Sequence, residues 1–184
     1  MDRSALLLVD IQNDYFPGGK MALEGVDAAS VNAARLLDRF REKGLPVFHI
    51  RHLALLPQAT FFLPDTPGSE IHPSVAPRAG EVIIVKHFPN SFRETSLLDQ
   101  LQKAGIPSLV VCGAMSHMCI DATVRAAADL GFRCRVAQDA CATRALVFGQ
   151  EIVPAAMVHA AFMAALSAAY AEVLTTEELI AENP

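Results

Sequence analysis

The sequence has no basic cluster: 15 lysines and arginines are outnumbered by 20 aspartates and glutamates, for a net charge of −5. Phosphate binding needs clustered cations, so nucleic acid is excluded as a partner. No GxGxxG follows the first apolar segment, which removes a dinucleotide-binding reading. The four cysteines, Cys112, Cys119, Cys134 and Cys141, form no CxxC pair and have no metal-ligand spacing. The opening MDRSALLLVD has too short an apolar run for a secretory signal and lacks a small-residue cleavage site. Reduced thiols in a cytoplasmic protein are therefore the expectation. Ile152 to Ala171 carries no formal charge, but Pro154, His159, Ser167 and many alanines make it a buried or interface helix rather than a membrane span. There is no internal repeat and no low-complexity linker.

What is present is 184 residues, 52% of them hydrophobic, enough for one well-buried core and a single domain over 1–184. The run Ala5 to Val9 reads as a strand covered on both faces. Val31, Ala34, Leu37 and Phe40 suggest a helix over about 27–43, stopped by Gly44 and Pro46. Further strands are expected at 46–50, 82–85, 108–112, 133–137 and 172–174. Helices are expected from Thr95 or Ser96 to Gly105, from Cys119 to Leu130, and from Pro154 to Tyr170, with a last turn capped by Thr175 or Thr176. Strands alternating with helices predict a three-layer α/β/α, doubly wound fold on a six-stranded, mainly parallel sheet. Residues 52–80 are rich in proline and match no element, as expected of a lid or pocket wall.

Ligands in such sheets bind beyond the carboxyl ends of the strands. Asp10 closes the first strand, Lys86 the third, and Cys119 follows the fourth through Gly113-Ala-Met-Ser-His-Met118. A thiol at a helix start beside a lysine is expected to favour thiolate. An aspartate there can take the thiol proton and return it to a leaving amine. Backbone N–H groups around Met115 and Cys119 can face a developing oxyanion. Cys112 and Cys134 read as strand residues, and Cys141, near a strand end, is the other candidate for reactivity.

Four stretches resemble the isochorismatase-like cysteine hydrolase superfamily: LLLVDIQNDYFPGG, VKHFPNSF, VVCGAMSHMCIDATVRAAADLGF and QDACAT. The resemblance implies the sheet order 3-2-1-4-5-6, a triad of Asp10, Lys86 and Cys119, and a cis peptide between Ala114 and Met115. It also implies a polar loop at Gln12 and Asn13 and an aromatic pocket wall at Phe16. His87 and His117 flank the catalytic positions and join Arg51 as pocket candidates. Nicotinamidases of this superfamily carry an Asp-x-His metal motif after the second strand, whereas this chain reads His49-Ile-Arg51-His52, with Arg51 near the ligand position. A metal held by His49, His52 and His72 is therefore disfavoured, and no cofactor is expected. The expected activity is hydrolysis of a C–N bond in a small amide, ureido or lactam compound through a Cys119 thioester. The alternatives are vinyl-ether hydrolysis of an acidic substrate, with Arg51 or Arg93 as the cation, and a non-catalytic scaffold. The wide apolar surface of the 154–170 helix adds a homo-oligomer, dimer or tetramer, to the expectations.

Overall fold

The computed structural model describes residues 3–182. Strand β1, Ser4–Val9, is buried along its whole length. Its alternation splits the core in two: Leu6 and Leu8 pack under one face of the sheet, and Ala5, Leu7 and Val9 under the other. Each such leucine contributes about 1.5–3 kcal/mol on leaving water. Helix α1, Val26–Glu42, covers the first face. On the other face lie α2, Leu97–Lys103, α3, Asp121–Asp129, and α4, Ala155–Ser167. Helix α5, Thr176–Glu182, returns to the α1 side through Leu179.

The remaining strands are β2 (Val47–His52), β3 (Val82–Lys86), β4 (Ser108–Ala114), β5 (Arg133–Ala142), β6 (Leu146–Phe148), β7 (Glu151–Val153) and β8 (Glu172–Leu174). Six of them form one sheet in the order β3-β2-β1-β4-β5-β8. Every neighbouring pair in it is parallel. This is the expected three-layer fold and strand order, with β8 as the sixth strand of the sheet. No described helix is long and apolar enough to cross a membrane.

Four local expectations change. The antiparallel hairpin β6–β7 was not foreseen. Its Val147, Phe148 and Ile152 are more than 70% exposed, so it has no buried face to impose an alternating pattern. On α1, Val31 is exposed, and the buried stripe is Ala29, Ala33, Leu36, Leu37 and Phe40. Steps of three residues fall about 60° short of a turn each, so Val31 and Phe40 end on opposite sides. Strand β5 runs on to Ala142, with a bulge between its Val136 and Cys141 partners on β4. Cys141 is consequently a buried strand residue rather than a loop thiol, and burial pushes its pKa up to about 12. Helix α3 begins at Asp121, so Cys119 precedes it, in a wide turn over Ser116–Ile120.

That turn is brought to β1 by Gly113. Gly113 pairs with Val9 on one side and Cys141 on the other, at φ +125°. A Cβ there would collide with the carbonyl of Val9. Gly113→Ala is expected to destabilise the protein by about 2–4 kcal/mol, from backbone collision at a positive φ. Urea unfolding checks this, and a loss below about 0.5 kcal/mol would mean that the close approach is not needed.

Candidate active site

Asp10 leaves β1 at φ +52°, a left-handed turn that aspartate tolerates better than most side chains. Its N–H donates to Ile50 at 3.1 Å, and its carbonyl accepts from Gln12 at 3.0 Å. The carboxylate is thereby turned inward and fully buried. Lys86, the last residue of β3, is also fully buried and brings Nζ to 2.8 Å from Asp10 Oδ2. Lys86 also reaches the carbonyls of Phe88 and Pro89 at 3.1 and 3.2 Å, and His52 Nδ1 at 3.2 Å. Lys86 thus has more acceptors around it than hydrogens to give, and the 2.8 Å contact to Asp10 is a buried ion pair. Burial alone would push Lys86 down, but Asp10 and Cys119 outweigh it and hold the ammonium above its ordinary pKa.

Cys119 lies in the wide turn, whose Ile120 N–H reaches back five residues to the Met115 carbonyl at 3.2 Å. The Ala114–Met115 peptide is cis. Donor atoms of Asp10, His52 and Cys119 all lie within 4.8 Å of one another. The expectation of a resting thiolate is corrected here. Burial pushes the Cys119 thiol far up, the Asp10 charge adds to this, and Lys86 opposes both without winning. Desolvation of an anion outweighs a helix start that lies two residues further on.

The pocket candidates divide. Gln12 is buried with its amide fully engaged: it donates to the His52 and Ser69 carbonyls at 2.9 and 2.8 Å and accepts from His52 N–H at 2.7 Å. Arg51 holds the same loop through the Ser69 carbonyl at 2.8 Å and Glu70 at 2.6 Å, so its charge is spent on the fold. Arg93 lies over the Phe88 ring and beside Glu94. His87 is exposed, with Nδ1 2.8 Å from the Leu53 carbonyl. His117 Nδ1 is 2.6 Å from Thr143 Oγ1, tying the Cys119 turn to the end of β5. Phe16 stacks on His72 with ring centres 3.5 Å apart and lines a cavity of about 540 Å³ walled by Thr60, Leu63, Pro67 and Gly68. Part of the 52–80 segment thus walls this cavity, while Asp10, Lys86 and Cys119 do not line it and are buried.

His49, His52 and His72 do not gather. His49 is buried against Glu81 at 2.9 Å, with Arg41 on the same carboxylate, and His72 bonds to Ser74. His52 alone meets the cluster, through Lys86 and at 3.9 Å from Asp10. The strand expected at 46–50 stops short of it, so the strand-end criterion that finds Asp10 and Lys86 passes over His52, whereas β2 runs on to it. Tyr15 was also missed. It is buried between Phe61, Phe62 and the cluster, and its hydroxyl is held from ionising by burial and then by Cys119 and Asp10. Tyr15 and Phe16 are both buried, and the tight turn Asn13–Tyr15 decides which of them faces the cluster, which no periodicity encodes.

An all-parallel α/β sheet with thiol, carboxylate and ammonium gathered beyond its carboxyl ends has the architecture of the isochorismatase-like hydrolases. The chain belongs to the isochorismatase family: the isochorismatase domain matches residues 4–178. It is 56% identical to the isochorismatase family protein YddQ of Bacillus subtilis over 177 residues, covering 96% of this chain and 98% of that one. The crystal structure of an isochorismatase hydrolase from Oleispira antarctica superposes with a TM-score of 0.94 at 55% identity, over 98% of this chain and 97% of that one. Maleamate amidohydrolase of Pseudomonas putida is 31% identical over 77% of this chain and 73% of its own.

A thiol raised in this way has a checkable signature. Alkylation of Cys119 by iodoacetamide is expected to keep accelerating as pH rises through 9, because the thiolate fraction is still growing there. Peptide mapping of the modified cysteine at each pH gives the profile, and a rate already level below pH 7 would mean a resident thiolate.

Proposed function

We propose that the protein is a cysteine-dependent amidohydrolase, cleaving a C–N bond in a small amide, ureido or lactam compound. The observation that carries this is the contact of the Asp10 carboxylate, the Lys86 ammonium and the Cys119 thiol in one buried group. In the proposed sequence Asp10 takes the thiol proton as sulfur attacks the carbonyl carbon. The oxyanion faces the backbone N–H groups of Met115 and Cys119. Asp10 then returns the proton to the leaving nitrogen, the C–N bond breaks, and a thioester remains on Cys119. Asp10 next deprotonates a water, which attacks the thioester and releases the acid and the thiol. Lys86 stabilises whichever of Asp10 and Cys119 is anionic. The amide-cleaving name of the maleamate amidohydrolase relative supports this bond class. Vinyl-ether hydrolysis loses support, because Arg51 and Arg93 are both occupied.

A panel of small primary amides, ureido acids and lactams, read by ammonia release or by ring opening, tests the proposal. Cys119→Ala and Asp10→Asn are expected to lose on the order of 10³-fold or more of the activity. Lys86 occupies the space between the donors of Asp10 and His52, so dialysis against EDTA is expected to leave the rate intact. Turnover that survives Cys119→Ala, or that disappears with chelator and returns with zinc, would overturn the mechanism.

We also propose self-association through α4 and the neighbouring hairpin, as a protein of the cytoplasm. Met157 on the helix and Val147, Phe148 and Ile152 on the hairpin are exposed large apolar side chains, next to a helix without charge. Light scattering at micromolar concentration is expected to give a dimer or larger, and Phe148→Asp to reduce the mass. A native monomer would rule this out.

A further inference from the structure

Helix α4 carries one histidine in its apolar stripe. Ala155, Met163 and Leu166 are buried along one line of the helix, and its turn of 3.6 residues puts His159 on that same line. A polar group in such a place costs stability unless it is hydrogen-bonded. The partner is Ser116, a wholly buried residue whose hydroxyl lies 2.9 Å from His159 Nδ1. The same hydroxyl lies 3.4 Å from the Ala142 carbonyl at the end of β5. Burial lowers the His159 pKa, so the ring is neutral at physiological pH. A neutral ring can take the hydroxyl hydrogen at Nδ1, or give its own while Ser116 turns to Ala142, and the pair holds either way.

Ser116 opens the turn that carries Cys119. The carbonyl of Met115, just before it, accepts the Met118 and Ile120 N–H groups at 3.0 and 3.2 Å, so the turn hangs on that residue. Ala114, on the other side, is fixed in the ladder opposite Ala142. Met115 therefore spans two anchors, the sheet at Ala114 and helix α4 at Ser116. His117 strengthens the second anchor, meeting the Phe162 ring of α4 edge-on at 6.0 Å. We propose that His159 is a positioning residue of the Cys119 site, holding Ser116 so that the Met115 N–H keeps its aim at the oxyanion. It acts through Ser116 rather than on the reacting atoms. The inference rests on the reading of Cys119 as nucleophile and extends that site to α4.

Two reactions of Cys119 separate positioning from plain structural support. Acylation by p-nitrophenyl acetate puts charge on a carbonyl oxygen, whereas alkylation by iodoacetamide displaces iodide at a saturated carbon and makes no oxyanion. Each rate is taken as the part lost in Cys119→Ala. His159→Leu suits the apolar stripe but offers no nitrogen. It is expected to slow acylation about tenfold and alkylation by less than about threefold. Ser116→Ala is expected to match it, with the double variant no slower than either single one. His159→Asn, whose amide stands where Nδ1 does, is expected to recover most of the loss. Unchanged acylation in His159→Leu, or equal slowing of both reactions, would overturn the proposal. A native protein without Cys119-dependent acylation would defeat the proposed function instead. Positioning is then decided by the Met115 amide, whose 1H–15N resonance is expected to shift in His159→Leu and return in His159→Asn. A resonance that stays in place in His159→Leu overturns it.

Discussion

The buried contact between Lys86 and Asp10 governs the arrangement of this molecule. Both residues are wholly excluded from solvent, and removing two such charges from water costs several kcal/mol per ion. The fold offsets that cost by position. Neighbouring strands lie about 4.8 Å apart, so the end of β3 is about 10 Å from the end of β1 with β2 between them. A long side chain is needed to reach over β2, and lysine supplies both the length and a charge that two carbonyls and His52 then satisfy. The left-handed turn at Asp10 aims the carboxylate at the ammonium. Sheet order and turn geometry serve the same few atoms.

The same burial raises the Cys119 thiol well above its ordinary pKa. A helix start and a nearby cation favour thiolate where water is present, but Cys119 is buried with a carboxylate beside it. An anion there would have little solvation and an immediate repulsive neighbour. In the proposed mechanism the proton therefore leaves the sulfur only as a carbonyl carbon arrives to take up the electron pair. That keeps an otherwise reactive thiol quiet in the empty protein.

The scaffold was legible in the sequence because alternation between apolar strands and capped helices carries it, and Asp10, Lys86 and Cys119 were legible because they end or follow strands. What escaped was set by interactions that no local pattern reports. Val147 and Phe148 form a strand with no buried face, so the hairpin left no trace. The parity of Tyr15 and Phe16 is fixed by a single tight turn. Gln12 and Arg51 read as pocket groups because they are polar and near the site, yet both donate to the Ser69 carbonyl, and Arg51 also to the Glu70 carboxylate. His52 reads as one of three histidines without a carboxylate partner, and only the three-dimensional placement of Lys86 and Asp10 separates it from the other two.

The ammonium also decides what kind of chemistry the cluster suits. Asp10, His52 and Cys119 bring three donor types close enough to hold a metal ion, and a divalent cation among them would coordinate the sulfur and dull its nucleophilicity. Lys86 stands beside those donors with a single charge and no capacity to coordinate. In the proposed mechanism, moving the proton from Cys119 to Asp10 shifts the anion from oxygen to sulfur while the ammonium remains. The net charge of the buried group is zero before and after, with His52, whose pKa burial lowers to about 4, neutral in both states. A proton transfer that leaves the net charge unchanged adds little to the electrostatic cost already met in burying the pair. In a site this dry, that conservation of charge is what makes a thiolate reachable at all.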